Sequence, residues 1–254
     1  MPVDLSRTRR YKTRMGAQWK QAGRVENATK RGQLFGKLVK EIQVAAKLGD
    51  PHPDLNARLF VAVEAAKKAS VPRETIERAI KKGAGLLEEK VNFETVTYEG
   101  FAPAKVPVIV ECLTDNRNRT APDIRQLFKA GSMGTPGSVA FMFDHLGVVE
   151  AHHADTKQDI EAAAIEAGAD NVEPLEPGEV PEGRLGARFT GPITALDTVA
   201  KYLKSAGWTV TASELRFLAK NFVEVSDAQR KEVMDFLTAL DDHDDVHRVY
   251  AAIR

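Results

Sequence analysis

Basic residues recur at short intervals near the start of the 254-residue chain, and an indole side chain lies among them. Lysine and arginine neutralise the phosphates of nucleic acids, and an exposed indole can stack on an unpaired base. The alternative is a solvated basic helix face with the indole as an apolar anchor. The pattern favours phosphate contacts for the basic residues, whereas for the indole the anchor is the stronger of the two interpretations. The candidate residues are Trp19, Lys20, Arg24, Lys30, Arg31, Lys37 and Lys40.

A second candidate site lies at residues 113–120, which join a predicted strand to a predicted helix. Free amide groups and the helix dipole favour an anion at a helix N-terminus, and Arg117 and Arg119 would strengthen such a site. The alternative is a capped turn in which Asp115 and Asn116 hydrogen-bond to their own backbone and Arg117 pairs with Asp115 or Asp123. Local chemistry alone favours the capped turn, and both interpretations stay open at this point.

No set of residues indicates an enzyme, a metal site or a cofactor site. His243 and His247 have the spacing of a helical zinc pair, but they flank a predicted turn, where that spacing loses its meaning. Cys112 lies in an apolar strand with no obvious base beside it, which is typical of a buried structural residue. Common nucleotide-loop, hydrolase and metalloprotease motifs are absent. An enzyme that uses Arg117 and Arg119 as an oxyanion site is the weakest alternative.

The formal net charge of zero hides an uneven distribution of charge. Residues 1–90 contain 20 Lys and Arg against 10 Asp and Glu, whereas residues 91–254 contain 16 against 26. A basic region attracts polyanions, and an acidic body resists non-specific coating by them. The alternative is that two oppositely charged faces pack on each other. A single cysteine, short apolar runs and the lack of a signal-peptide core predict a cytoplasmic protein without a membrane partner.

The spacing of apolar residues predicts an N-terminal helical part. Residues 1–29 show little periodicity and predict a flexible basic arm. A helical stripe begins at Leu34, a second follows Pro53, and a third runs from Pro72 to Gly83. Short connections between three helices predict a helical bundle domain over residues 30–85.

Strands alternate with helices after residue 92. The pattern predicts a helix capped by Thr120, a strand at 138–143 that ends before a turn at 145–147, and a strand at 222–225. Residues 148–214 have the β-α-β-β-α-β order of a split-βαβ unit. The predicted fold class is α+β and multidomain, with a three-helix domain followed by two α/β domains of ferredoxin-like or split-βαβ type. One α/β domain (146–215) is inserted in the other (92–145 and 216–254).

Several stretches of the chain resemble the YebC/PmpR family. The helical part contributes IERAIKKG at residues 76–83, and the most specific stretches are VIVECLTDNRNRT at 108–120, GSV at 137–139 and MFD at 142–144. The resemblance covers residues 15–254. It is weakest at residues 16–24, where the basic cluster of the family is thinned.

The resemblance implies a three-domain fold and a cytoplasmic, DNA-binding transcriptional regulator with no metal role for the acidic turn before the last strand. Relatives that include a mitochondrial translational activator act on ribosomes instead. We therefore expect a non-enzymatic, nucleic-acid-binding regulator of gene expression without a cofactor or metal. Its expected partner is DNA, or ribosomal RNA in the alternative, and the sequence predicts no particular oligomeric state.

Overall fold

The structure is a computed structural model that describes residues 28–88, 93–176 and 178–253, with side chains described from residue 32 onward. Most of the predicted basic arm, including Trp19, Lys20 and Arg24, lies outside the described residues. None of the helices in the described part of the chain is long and apolar enough to span a membrane.

Three helices form the N-terminal part: α1 (Ala28–Leu48), α2 (Ala57–Lys68) and α3 (Arg73–Gly83). They enclose a core that includes Ile42 and Leu59, which are fully buried. The α3 helix ends against α1 so closely that a Cβ atom at Gly83 would lie 2.2 Å from the backbone oxygen of Gln43. Glycine is therefore required at this contact, because any other side chain would collide with backbone.

Asn56 fixes the connection between α1 and α2. Its side-chain oxygen accepts a hydrogen bond from the Leu59 amide at 3.0 Å, which caps α2. Its amide nitrogen donates to the carbonyls of Ala45 and Asp50, both at 2.9 Å, which satisfies groups near the end of α1. One buried polar side chain thus holds both helix ends.

The first sheet is antiparallel and has the strand order β3-β1-β2-β8. Helices α4 and α7 share a core with its strands, in which Ile124, Val110 and Leu237 are fully buried. The elements of this layer are β1 (Glu94–Phe101), β2 (Pro107–Thr114), α4 (Arg117–Leu127), β3 (Ser132–Met133), α7 (Asp227–Asp241) and β8 (Val246–Ala251).

The second sheet, of order β5-β6-β4-β7, is also antiparallel and has the connectivity β-α-β-β-α-β. Helices α5 and α6 share a core with its strands, which includes Leu203 of α6 and Phe189 of β6, and Ala57 of α2 joins the same core. The elements are β4 (Phe143–His153), α5 (Ile160–Ala167), β5 (Asn171–Pro174), β6 (Leu185–Gly191), α6 (Leu196–Ser205) and β7 (Thr209–Ala219).

The predicted α+β fold class is confirmed, and the second sheet has the strand order of a ferredoxin-like unit. Strands β1 to β3 belong to the first sheet, the next four strands along the chain form the second sheet, and the last strand, β8, belongs to the first sheet again. This nested order is the one that an inserted domain requires. The predicted domain boundaries themselves stay a prediction.

Two predicted strands were wrong. Residues 138–142 form a turn and a short 3₁₀ helix (Ala140–Met142). The reason is that the Glu99 carboxylate accepts hydrogen bonds from the amides of Gly137, Val139 and Ala140, so these amides are not available to pair with a neighbouring strand. The predicted turn at 145–147 is absent because β4 runs unbroken through it, paired with β7. Residues 222–225 make only an isolated bridge between Val223 and Ile253.

The predicted start of α4 was also wrong. Asn116 is the N-cap, and its side chain accepts the amides of Asn118 at 3.0 Å and Arg119 at 3.3 Å. Thr120 lies one turn inside the helix, where its buried hydroxyl contacts the Thr114 hydroxyl at 2.7 Å. The sequence favoured the later start because Thr120 is followed three residues later by the acidic Asp123.

Candidate nucleic-acid interface

The described candidate residues lie on the first turns of two helices and along α1. Lys30 and Arg31 belong to the first turn of α1, and their side chains lie outside the described part of the chain. Lys37 and Lys40 follow on the same helix. Arg117 and Arg119 occupy the first turn of α4, directly after the Asn116 cap.

Lys37 contacts an acidic turn, residues 241–245, which connects α7 to β8. Its ammonium group donates a hydrogen bond to the carbonyl of Asp241 and lies 3.9 Å from Oδ1 of the same residue. The neighbouring Gln33 side chain reaches the Asp242 carbonyl at 3.5 Å. One face of α1 is therefore held against this acidic turn.

Lys40 makes the strongest of these contacts, with the carboxylate of Asp245. The Lys40 ammonium lies 2.8 Å from Asp245 Oδ1 and also donates to the carbonyl of Asp244 at 3.0 Å. Arg119 Nη2 lies 3.2 Å from Asp245 Oδ2, and the Thr120 hydroxyl donates to the same oxygen at 2.7 Å. Asp245 thus joins α1, the first turns of α4 and the start of β8.

The environment of Asp245 keeps its carboxylate charged. The side chain is only 4% exposed, and burial alone would raise its pKa. Hydrogen bonds from Lys40, Thr120 and Arg119 outweigh burial, and they lower the pKa of Asp245 to about 2. The Asp245 carboxylate is therefore satisfied by partners within the chain, and Lys40 already has an anionic partner.

Arg119 is 55% exposed despite its contact with Asp245, and Arg117 is the most exposed of the described candidates. Its guanidinium pairs with Glu94 at 2.7 Å, and 60% of its side chain remains exposed. Such surface pairs contribute little to stability and exchange readily for other anions. Arg117 does not pair with Asp115 or Asp123; Asp115 instead contacts Arg119 at 3.1 Å.

A further anchor of α1 escaped the sequence analysis. Glu41 is buried and accepts hydrogen bonds from Arg58 Nε at 2.7 Å and Nη2 at 3.2 Å. Nε2 of His247 lies 3.0 Å from the same carboxylate. Burial alone would raise the pKa of Glu41, but His247 and Arg58 together hold it well below the ordinary value. The one available signal was the charge of Glu41, which lies one helical turn after Lys37 on the same face of α1.

A cleft of about 760 Å³ lies between α1 and the acidic turn. Lys37, Lys40 and Arg119 share its walls with Asp123, Asp242 and other acidic side chains. Cations and carboxylates alternate there, and the described residues include no group of three or more His, Cys, Asp or Glu side chains suited to a metal ion. The arrangement is that of an ionic contact between helix and turn.

These contacts correspond to the alternative in which oppositely charged parts of the chain pack on each other. They give Lys37 and Lys40 intramolecular partners. The basic side chains before residue 32 lie outside the described part of the chain. The roles of Lys37, Lys40, Arg117 and Arg119 in nucleic-acid binding stay predictions.

Comparison with known proteins gives a consistent family. Residues 10–86 match the TACO1/YebC protein N-terminal domain, and residues 93–253 match the TACO1/YebC second and third domain. A protein of Bdellovibrio bacteriovorus named as a probable transcriptional regulatory protein is 52% identical over 244 residues, which cover 94% of this chain and 100% of the relative. A protein of Pseudomonas syringae with the same description is 52% identical over 94% of this chain and 99% of the relative.

Solved structures also match, and one of them is similar over most of its length. It is the crystal structure of a conserved hypothetical protein from Aquifex aeolicus, with a TM-score of 0.72 and 38% sequence identity. The match covers 89% of this chain and 90% of that one. The similarity therefore extends over the helical part and both sheets together.

Proposed function

Because the chain belongs to the TACO1/YebC family, we propose that it is a non-enzymatic regulator of gene expression that binds nucleic acid in the cytoplasm, with DNA as its partner. The names of its relatives as probable transcriptional regulatory proteins support the regulatory role. The observation that carries the binding role is the distribution of positive charge.

Positive charge is concentrated ahead of the contact between α1 and the acidic turn. Residues 1–31 contain nine Lys and Arg and two Asp and Glu. Lys37 and Lys40, by contrast, already face carboxylates and carbonyls of the turn. In our proposal Lys20, Arg24, Lys30 and Arg31 contact phosphates, which gives sequence-independent affinity.

The remaining candidate residues have secondary roles. Trp19 stacks on a base, and Arg117 contacts a phosphate by exchanging its exposed partner Glu94. Lys37, Lys40 and Arg119 chiefly anchor α1 and α4 to Asp245 and the rest of the acidic turn.

The second candidate function is that of a translation factor on ribosomal RNA. Phosphate contacts serve either partner, because charge neutralisation does not distinguish DNA from RNA. The exposed aromatic side chain Phe141 favours a partner with unpaired bases, which ribosomal RNA offers in its loops.

Cross-linking in cells, followed by identification of the bound nucleic acid, tests the proposal. We expect enrichment of promoter DNA with the intact protein and its loss when Lys30 and Arg31 are both replaced by alanine. Enrichment of ribosomal RNA without DNA would reject the transcriptional role in favour of the translational one. No enrichment of either would reject nucleic-acid binding.

A further inference from the structure

The segment between β3 and β4 belongs to a family-specific stretch of sequence, but it has no part in the contacts of α1. Its backbone is held by the Glu99 carboxylate, which accepts the amides of Gly137 at 2.6 Å, Val139 at 2.9 Å and Ala140 at 2.8 Å. Burial alone would raise the pKa of Glu99, but these three donors lower it. A charged, hydrogen-bonded side chain therefore fixes the shape of this segment.

Phe141 points outward from that fixed segment. Its side chain is 66% exposed, although Val139 and Phe143 on either side are buried and Met142 packs against the same small core. The exposure is therefore not that of a loose loop. Burial of this ring would have added hydrophobic stabilisation, so its exposed position has a cost to stability.

The segment that follows β7 contributes a cation, Lys220, and a second exposed ring, Phe222. The Lys220 amide donates to the Met142 carbonyl at 2.9 Å, which places residue 220 beside the backbone of Met142, the residue after Phe141. The Lys220 ammonium pairs with Asp144 at 3.2 Å, and both side chains are about half exposed. Phe222, two residues further on, is 36% exposed. Among the described residues, Phe141 and Phe222 are the large hydrophobic side chains that are both exposed and aromatic.

We propose that Phe141 is a stacking platform for an unpaired base of single-stranded nucleic acid, and that Lys220 contacts the adjacent phosphate. This inference rests on the proposed nucleic-acid-binding function and adds a second contact site, on the sheets rather than on the helical part. An aromatic ring beside a cation is the combination that binds base and phosphate together in sequence-tolerant sites. The surface pair between Lys220 and Asp144 is weak enough to exchange for a phosphate.

A protein partner fits these observations less well. Stable protein interfaces bury roughly 800 Å² on each partner around a cluster of apolar side chains. The exposed apolar groups shown here are two rings with a charged pair beside them. A single planar ring is sufficient for a base, because every base presents a flat face for stacking.

Binding of a short oligouridylate by Phe141→Ala, Phe141→Trp and the unchanged protein tests the inference. We expect Phe141→Ala to weaken oligouridylate binding by about 5- to 150-fold and to leave binding of mixed-sequence duplex DNA within about twofold. Phe141→Trp retains or improves binding, because stacking needs an aromatic ring. The matched control is Ile165→Ala, which truncates an apolar side chain that is 79% exposed on α5.

Replacement of Lys220 by alanine provides a second measurement. It should reduce the salt dependence of oligouridylate binding by about 0.7 in the log–log slope, which is the value for one phosphate on a single strand. Equal binding by the unchanged protein and Phe141→Ala, or an equal loss in Phe141→Ala and Phe141→Trp, would overturn the stacking role. Binding of duplex but not of oligouridylate by the unchanged protein would also overturn it, and binding of neither would reject the proposed function instead.

Discussion

Asp245 is the residue on which the attachment of the helical part depends most. Its carboxylate accepts hydrogen bonds from Lys40 of α1 and from Arg119 and Thr120 of α4. A buried carboxylate with three donors is stabilising while all partners are present, and removal of its charge leaves two cations without their counter-ion.

Replacement of Asp245 by asparagine should lower the free energy of unfolding by about 2 kcal/mol at neutral pH. The pKa is lowered from the ordinary 3.8 to about 2 in the folded protein. The carboxylate therefore stabilises the fold above about pH 4, and this stabilisation is lost as the pH falls towards 2. Denaturant unfolding at pH 7 and at low pH measures the difference. The neighbouring Asp244→Asn is the control, since that residue is exposed, and equal losses in both variants would contradict the account.

The two arginines at the start of α4 should behave differently from each other. Arg119→Ala should lower the melting temperature, because it removes a partner of Asp245. Arg117→Ala should leave the melting temperature nearly unchanged, because its pair with Glu94 is exposed. If Arg117 contacts phosphate, the same variant should flatten the salt dependence of duplex binding by about 0.9. Thermal unfolding and salt titration separate these effects, and a large loss of stability in Arg117→Ala would contradict them.

Among the elements, the helices were the easiest to predict from the sequence. Prolines and glycines at their ends mark α2 and α3 directly, so those boundaries needed only local information. The segment after β3 could not be predicted, because its β-rich sequence is overridden by the side chain of Glu99, forty residues away in the chain. The start of α4 was missed because Asn116 and Thr120 both carry capping side chains, and only the tertiary contact with Asp245 directs Thr120 inward.

Glycine replacements test the packing between α1 and α3. Gly83→Ala places a Cβ atom 2.2 Å from the Gln43 carbonyl oxygen. We therefore expect the free energy of unfolding to fall by about 1–3 kcal/mol. Gly36→Ala on α1 is the matched control, since no atom lies within 4 Å of its Cβ position. That variant should instead stabilise the helix by up to about 1 kcal/mol. Denaturant unfolding of both variants measures the contrast, and similar effects at the two positions would contradict the described contact.

At the scale of the whole molecule, the separation of charge along the chain allows its acidic and basic parts to contact each other. The acidic turn neutralises the middle of α1 and holds it against the first sheet, through Lys37 with Asp241 and Lys40 with Asp245. The charge asymmetry can be counted from the sequence. The sequence alone could not distinguish lysines that contact phosphate from lysines that contact the acidic turn. That distinction needs the position of residues 241–245, some two hundred residues away along the chain.

The salt dependence of duplex DNA binding by two double variants tests the central claim most directly. Lys30→Ala with Arg31→Ala should flatten the log–log slope by about two units from a starting value of about −4 to −5, because two of five phosphate contacts are lost. Lys37→Ala with Lys40→Ala should leave the slope unchanged and lower the melting temperature, because those lysines bind the acidic turn. A slope that flattens in the second pair and stays constant in the first, with stability unaffected, would contradict the account.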